Sequence, residues 1–156
     1  MTATDRQSVE AANAGLYRAV ETGDLDLMEA LWDTGEGVVC VHPGSEVLRG
    51  RGPVLRSWAA VMVASEYVQF FLTDVTVDVG GDTAVVTCTE NVLTGVDGDE
   101  TSFRAGRSVA TNVFRRRSGG WKLVLHHASP VLTGRDGAAG DGGSGDGGSD
   151  DTRGAP

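Results

Sequence analysis

Hydrophobic residues recur at helical spacing over the first part of the chain and at alternate positions over much of the rest. Residues 5–21 carry an apolar stripe, and Thr4 with Gln7 forms a capping-box pattern in front of it. Gly23 suits the end of this helix because glycine adopts the left-handed conformation without strain. The stripe consists of Val9, Ala12, Leu16 and Val20. This spacing predicts a first amphipathic helix.

Two further helices are predicted downstream. Asp24 can cap a second, shorter helix, and Pro53 suits the first turn of a third. Their apolar sides are Leu27, Met28, Leu31 and Trp32 in the second helix and Val54, Trp58, Val61 and Met62 in the third. Between them, residues 37–41 predict a short β-strand. The first two helices are expected to form a cover over one face of the domain.

From Tyr67 onward the pattern changes to alternation and stays there. The predicted strands span residues 67–79, 83–94, 102–117 and 120–128, and glycine-containing connections separate them. Helices followed by a run of hairpin-connected strands indicate an α+β domain, with the helices packed on one face of an antiparallel sheet.

Composition divides the chain into a folding body and a tail. Residues 134–156 contain nine glycines and five aspartates but no large apolar side chain, so they are expected to be disordered. Residues 1–133 are enough for one domain with one core. The net charge of −9 leaves no strongly basic portion, which argues against nucleic-acid binding. The basic cluster 115–117 precedes a predicted turn and is expected in solvent.

The chain offers no signal for a membrane or for redox chemistry. No apolar run approaches the roughly 20 residues that span a bilayer, and the first residues lack a basic-then-apolar leader pattern. A cytoplasmic location is therefore expected. Cys40 and Cys88 lie in β-type runs without a CxxC partner, which favours buried free thiols over a disulfide or a metal site.

Strand parity sorts the polar residues of the predicted sheet between its two faces. On strand 83–94 the more apolar set contains Glu90, which is therefore predicted to face inward. On the next strand Asn112 shares a face with Phe114. On the last strand His127 shares a face with Trp121, Leu123 and Leu125, which leaves His126 on the outer face.

Several segments in this order resemble the nuclear transport factor 2-like superfamily, in particular its SnoaL-like branch. They are residues 23–32, the Val41-His42-Pro43 segment, Trp58, residues 113–116 and residues 120–129. The resemblance covers residues 5–132 and implies a cone-like, cystatin-like fold. In such a fold the N-terminal helices close a cavity wrapped by a strongly bent antiparallel sheet, and a homodimer commonly forms through the outer sheet face.

The resemblance does not select one function, since relatives include isomerases, cyclases, dehydratases and the association domain of calcium/calmodulin-dependent kinase II. That association domain carries pocket arginines where this chain has Glu90 and Asn112, so its anion-attracting pocket is not expected here. The expected role is to hold a small, largely apolar organic molecule. Isomerisation, cyclisation or dehydration of that molecule would use acid-base chemistry without a cofactor.

The candidate catalytic residues are Glu90, His127 and His42, because a carboxyl beside an imidazole in an apolar cavity can exchange protons with a substrate. The candidate ligand-binding residues are Asn112, Tyr17, Trp32, Trp58 and Phe114, with Trp121 as a further wall. Asn112 could donate a hydrogen bond to a developing enolate oxygen.

Three alternatives stay open at this point. The histidine, glutamate and asparagine could satisfy one another without contacting a ligand. His42, His127 and Glu90 could bind a metal ion, although no short spacing such as HxH or HExxH fixes two ligands on one element, so no metal site is predicted. Finally, the domain could be a non-catalytic ligand-binding or association module. The sequence leaves open whether the protein is an enzyme.

Overall fold

The first helix begins and ends, and the second begins, at the capping residues that the sequence predicts. The computed structural model describes residues 3–132, so the predicted tail 134–156 lies outside the described residues. Helix α1 (Asp5–Thr22) begins with the reciprocal Thr4–Gln7 capping box and ends at Gly23 in the left-handed conformation. Helix α2 (Leu25–Leu31) is capped by the Asp24 carboxylate. Helix α3 (Arg51–Ala64) begins after Gly50, whose φ of 90° favours glycine.

The described residues form a six-stranded sheet. The strands are β1 (Val39–Val41), β2 (Leu48–Arg49), β3 (Val68–Gly80), β4 (Thr83–Val96), β5 (Asp99–Arg117) and β6 (Gly120–Pro130), in the order β2-β1-β6-β5-β4-β3. The antiparallel meander from β3 to β6 is confirmed. The sheet is nevertheless mixed, because β1 joins β6 in parallel and β2 adds a short strand that the sequence pattern did not indicate.

The sheet has one face covered by helices, here called the inner face, and one without a helical layer, the outer face. Helix α1 packs against β3 and β6, and α3 packs against β1. The buried inner-face side chains of the meander are Val77, Ala84, Val86, Cys88, Glu90, Ser108, Ala110, Asn112, Phe114, Trp121, Leu123, His126 and Ala128. Glu90 and Asn112 therefore face inward, as strand parity predicted. No helix in the part of the chain described here is long and apolar enough to cross a membrane.

A β-bulge in β6 reverses the predicted faces of the two neighbouring histidines. Phe114 pairs with Leu123 and Val113 pairs with Leu125, so Val124 is an extra residue without a partner on β5. One extra residue shifts every later side chain of the strand to the opposite face. The prediction that His127 faces inward is thus wrong. His126 is buried opposite Asn112, whereas His127 is exposed.

The basic cluster 115–117 is more structured than its place before a turn suggested. Arg116 makes a bidentate ion pair with Asp5 and a further ion pair with Asp82. Its guanidinium also lies 4.6 Å from the ring centroid of Trp121. Arg117 makes a bidentate ion pair with Asp33, which follows α2. These two arginines therefore connect the β5–β6 hairpin to the helical side of the domain.

Candidate functional site

A hydrogen-bonded network of polar side chains occupies the inner face beneath α1. Asn112 is fully buried, and its Nδ2 donates to Asn13 Oδ1 at 2.8 Å and to the Tyr17 hydroxyl at 3.1 Å. Its Oδ1 lies 2.6 Å from Nδ1 of His126. The Tyr17 hydroxyl also lies 3.5 Å from Cys88 Sγ. The network therefore joins α1, β4, β5 and β6 through side chains from each.

Tyr17 and Asn13 belong to the network because helical spacing places them on the buried side of α1. Asn13 follows Val9 by four residues and precedes Tyr17 by four, so all three lie on one side of the helix. Asn13 was missed in the sequence analysis, although a polar residue at core spacing was the available signal. Ring packing at 5.1 Å between Tyr17 and Phe70 supports the tyrosine from β3.

Glu90 is the buried carboxyl of the inner face, with 6% of its surface exposed. Burial raises its pKa above the ordinary value because desolvation disfavours the charged form. The Tyr17 hydroxyl partly offsets this rise, but its hydrogen bonds within the described residues go to Asn112 and Cys88. Burial also raises the pKa of Tyr17 far above its usual range, so that hydroxyl stays protonated. Glu90 can therefore take up or release a proton beside a neutral donor.

His126 and His42 both pack against the indole ring of Trp58 and lie close to each other. The Trp58 ring lies 5.2 Å from the His126 ring and 4.6 Å from the His42 ring, both in edge-on geometry. The two imidazole centroids are 6.3 Å apart. Burial, with smaller contributions from His42 and His127, lowers the pKa of His126 to about 3. Burial also lowers the pKa of His42, so the environment of both rings favours the neutral form.

His42 is held by α3 through a serine that sequence reasoning did not identify. Its Nε2 lies 2.8 Å from Ser57 Oγ, whose single proton is donated to the Val54 carbonyl at 2.6 Å. Nε2 must therefore donate to Ser57, which leaves Nδ1 as the acceptor of the neutral ring. Cys40 Sγ lies 3.6 Å from the same Nε2, but burial raises the pKa of this thiol to about 12. Cys40 is thus an inert thiol, and both cysteines are free and buried as predicted.

The predicted site residues come together only in part. Tyr17 and Asn112 share one network with His126, and Glu90 lies next to Tyr17. His127 is exposed, and His42 packs against Trp58 with its ring centroid 6.3 Å from that of His126. Trp32 and Phe114 are fully enclosed, as core residues are. No three histidine, cysteine, aspartate or glutamate side chains within residues 3–132 lie close enough to hold a metal ion, so His42, His127 and Glu90 do not form such a set.

The interior polar groups have unused hydrogen-bonding capacity. Within the described residues, the indole nitrogens of Trp32 and Trp58 are buried without a partner, and Nε2 of His126 makes no hydrogen bond. The main clefts of this part of the chain lie elsewhere, on the outer face and around the turns, and Glu90, Asn112 and His126 line none of them. These clefts therefore do not reach the polar network of the inner face.

Replacing Glu90 by glutamine should make stability less dependent on pH. In the wild type the charged carboxylate is disfavoured in the fold, so Glu90 contributes most below its unfolded pKa of about 4.3 and loses this contribution as pH rises through its raised folded pKa. We therefore expect Glu90→Gln to gain stability relative to the wild type as pH rises. Urea denaturation of both proteins, at pH values from below the unfolded pKa of Glu90 to above its folded pKa, measures the difference in the free energy of unfolding.

The exposed Glu46 supplies a matched control, because Glu46→Gln removes a carboxyl that lies in solvent. Its stability curve should run parallel to that of the wild type. A parallel curve for Glu90→Gln as well would contradict the desolvation of Glu90.

Helices packed on one face of a six-stranded mixed sheet are the architecture of a class of proteins, the cystatin-like α+β fold of nuclear transport factor 2-like proteins. Within that class, the model of the SnoaL-like domain matches residues 9–133. The chain belongs to this SnoaL-like family.

Solved structures extend the similarity. A nuclear transport factor 2-like protein from Streptomyces avermitilis, named as a candidate dehydratase, is 51% identical, with a TM-score of 0.77 over 83% of this chain and 97% of that one. A candidate calcium/calmodulin-dependent protein kinase type II association domain from Thiobacillus denitrificans is 36% identical, with a TM-score of 0.68 over 79% of this chain and 94% of that one. The solved structures similar to this chain thus include one named for catalysis and one named for association.

A curated plant protein matches as well. The F-box protein SKIP8 of Arabidopsis thaliana is 28% identical over 126 residues, which are 81% of this chain and 51% of that protein. The chain therefore spans about half the length of this relative.

Proposed function

We propose that this protein binds a small, largely apolar organic molecule against its inner face and transfers protons with Glu90. The observation that carries the proposal is a buried carboxyl with a raised pKa beside the protonated Tyr17 hydroxyl. An unpaired buried polar group costs about 1 to 3 kcal/mol, which a purely structural interior avoids. The indole nitrogen of Trp58, which is buried without a partner within the described residues, adds support.

The proton transfer that this arrangement supports begins next to a carbonyl. The Glu90 carboxylate takes a proton from the adjacent carbon, and the C–H electron pair moves into an enolate whose oxygen accepts a hydrogen bond from a neutral donor such as Tyr17. The Glu90 carboxylic acid then returns the proton. Return to another carbon completes an isomerisation, whereas return to a hydroxyl leaving from the β carbon releases water. The Streptomyces relative named as a candidate dehydratase favours the second outcome.

Binding requires the helical cover to move, because none of the main clefts in the described residues reaches Glu90. Helix α1 carries Asn13 and Tyr17, so its displacement opens the network as well as the inner face. A ligand that binds only the open form stabilises the protein by mass action, by about 2.7 kcal/mol at a hundred times its Kd.

The test combines binding and proton exchange. A thermal-shift screen of ketones, steroids and polyketide-like aromatic compounds should find at least one ligand that raises Tm. Incubating that ketone in deuterium oxide should exchange the protons next to its carbonyl, and Glu90→Gln should slow the exchange at least about 100-fold. Glu46→Gln should exchange at the wild-type rate. Absence of any stabilising compound, or equal exchange by Glu90→Gln, contradicts the proposal.

A second candidate function, association of copies of the chain, is favoured by apolar side chains exposed on the outer face. Phe71 and Val109 are 49% and 46% exposed and pair with Asn91 and Thr89, which share that face of β4. Phe71 and Leu132 also line a common groove of about 730 Å³. We propose a homodimer through this outer face, as the sequence resemblance implied.

Light scattering tests the dimer. The wild type should have twice the monomer mass at micromolar concentration, and Phe71→Asp should shift it to the monomer because it places a charge in the interface. Val63→Asp, at an exposed apolar residue of α3, serves as the matched control and should leave the dimer intact. A wild-type monomer at that concentration would exclude the proposed homodimer.

A further inference from the structure

The orientation of the Asn112 amide follows from its partners. Asn13 Oδ1 can only accept, and it lies 2.8 Å from Asn112 Nδ2. The second Nδ2 proton goes to the Tyr17 oxygen at 3.1 Å. Burial raises the pKa of the Cys88 thiol, and donation from the Tyr17 and Asn13 side chains partly offsets the rise. Asn13 thus directs its oxygen toward Asn112.

The same arrangement determines which nitrogen of His126 carries the proton. Both amide protons of Asn112 are used, so only its oxygen faces His126 Nδ1, at 2.6 Å. Two acceptors at that distance would repel, so Nδ1 must donate to Asn112 Oδ1. A neutral imidazole has one proton, which leaves a lone pair on Nε2. With its pKa lowered to about 3, the ring stays neutral across the physiological range.

We propose that Asn112 fixes His126 as the Nδ1-protonated tautomer and thereby selects ligands that donate a hydroxyl proton to Nε2. This inference rests on the proposed function, since it assigns a ligand class to the same inner-face site. Alcohols, phenols and enols donate to Nε2, whereas an ether or a ketone offers this acceptor no proton. Trp58, packed edge-on against His126, supplies an apolar wall beside the hydroxyl. Asn112 is accordingly a positioning residue that acts through His126.

The first experiment measures the tautomer in the wild-type protein. Two-bond proton–nitrogen correlation spectra of the histidine rings distinguish a protonated from an unprotonated ring nitrogen, and the sequence has only three histidines to assign. His42→Gln and His127→Gln provide the assignment without touching His126. We expect His126 to show a protonated Nδ1 and an unprotonated Nε2 from about pH 5 to 8. A protonated Nε2 in this range would overturn the proposal.

Two substitutions of Asn112 separate positioning from packing. Asn112→Asp keeps an acceptor for the Nδ1 proton and should preserve the tautomer. Asn112→Leu, similar in size but without an acceptor, should abolish the preference and populate the Nε2-protonated form. An unchanged tautomer in Asn112→Leu would contradict the positioning role. If Asn112→Leu does not fold, the wild-type spectrum and Asn112→Asp still decide the question, and loss of the tautomer in Asn112→Asp overturns it.

The ligand class is tested with three probes that share one ring system. β-Naphthol should bind at least about 10-fold more tightly than its methyl ether or the matching methyl ketone, and it alone should shift the His126 Nε2 resonance. Tighter binding of the ketone without that shift would overturn the ligand class while supporting an interior binding site. Absence of binding by all three would contradict both the ligand class and the proposed binding function, while the tautomer measurement decides the role of Asn112 independently.

Discussion

Replacing Asn112 by alanine should lower the free energy of unfolding by about 4 kcal/mol. The substitution removes hydrogen bonds to Asn13, Tyr17 and His126 and leaves their polar atoms buried. Each unsatisfied group costs about 1 to 3 kcal/mol, and the small cavity adds to the loss. Urea denaturation followed by tryptophan fluorescence measures the effect.

Asn91 on the outer face of β4 supplies the matched control. Its Nδ2 donates to the Phe71 carbonyl and to Thr73 Oγ1, but these groups are accessible to water. Measured at a protein concentration at which light scattering shows the monomer, Asn91→Ala should therefore cost less than about 1 kcal/mol, because water replaces the lost partner. A similar decrease in the free energy of unfolding for the two variants would contradict a larger contribution from the buried Asn112 network.

Replacing Phe114 by alanine should cost about 3 to 5 kcal/mol, because a fully buried aromatic ring leaves a cavity that the core fills only partly. The ring is completely enclosed, and it lies between strand neighbours Ala84 and Leu123. The sequence analysis assigned Phe114 to the wall of a ligand cavity. A wall residue that faces open space would lose much less stability, so chemical denaturation distinguishes a core role from a wall role.

Phe103 provides the comparison at the far end of the same strand. It is 53% exposed and packs edge-on against Tyr67. Phe103→Ala should cost about 1 kcal/mol or less. If Phe114→Ala costs no more than this control, Phe114 is not a core residue and its ring lines accessible space.

Strand parity succeeded where the strand is regular and failed where it is not. β4 alternates without interruption between Ala84 and Glu90, so the inward position of Glu90 followed from counting. In β6 the bulge lies in the apolar run Leu123-Val124-Leu125. Because all three side chains suit a buried or half-buried position, the hydrophobic pattern does not indicate which of them is the extra residue. No glycine or proline marks the extra residue. Alternation along β6 therefore could not predict that His126, rather than His127, faces inward.

The interior contacts also depend on residues far apart in the chain. Asn13 and Asn112 are 99 positions apart, and Ser57 contacts His42 across 15 positions. Each contact forms only when the helix packs on the sheet at one position and with one rotation about its own axis. Because β1 pairs with β6 in parallel, Cys40 lies beside His126. The local sequence pattern around either residue does not predict this pairing.

The sequence by itself determined the order and type of the main elements, the caps of the first two helices and the inward faces of β4 and β5, because those features depend on local spacing and on single side-chain chemistry. Only the tertiary structure decided which histidine is buried and which groups complete the network. The physical reason is that packing of the whole core determines the one-residue bulge in β6 and the position of α1 on the sheet. In that core Asn112 contacts Asn13, Tyr17 and His126 at the same time.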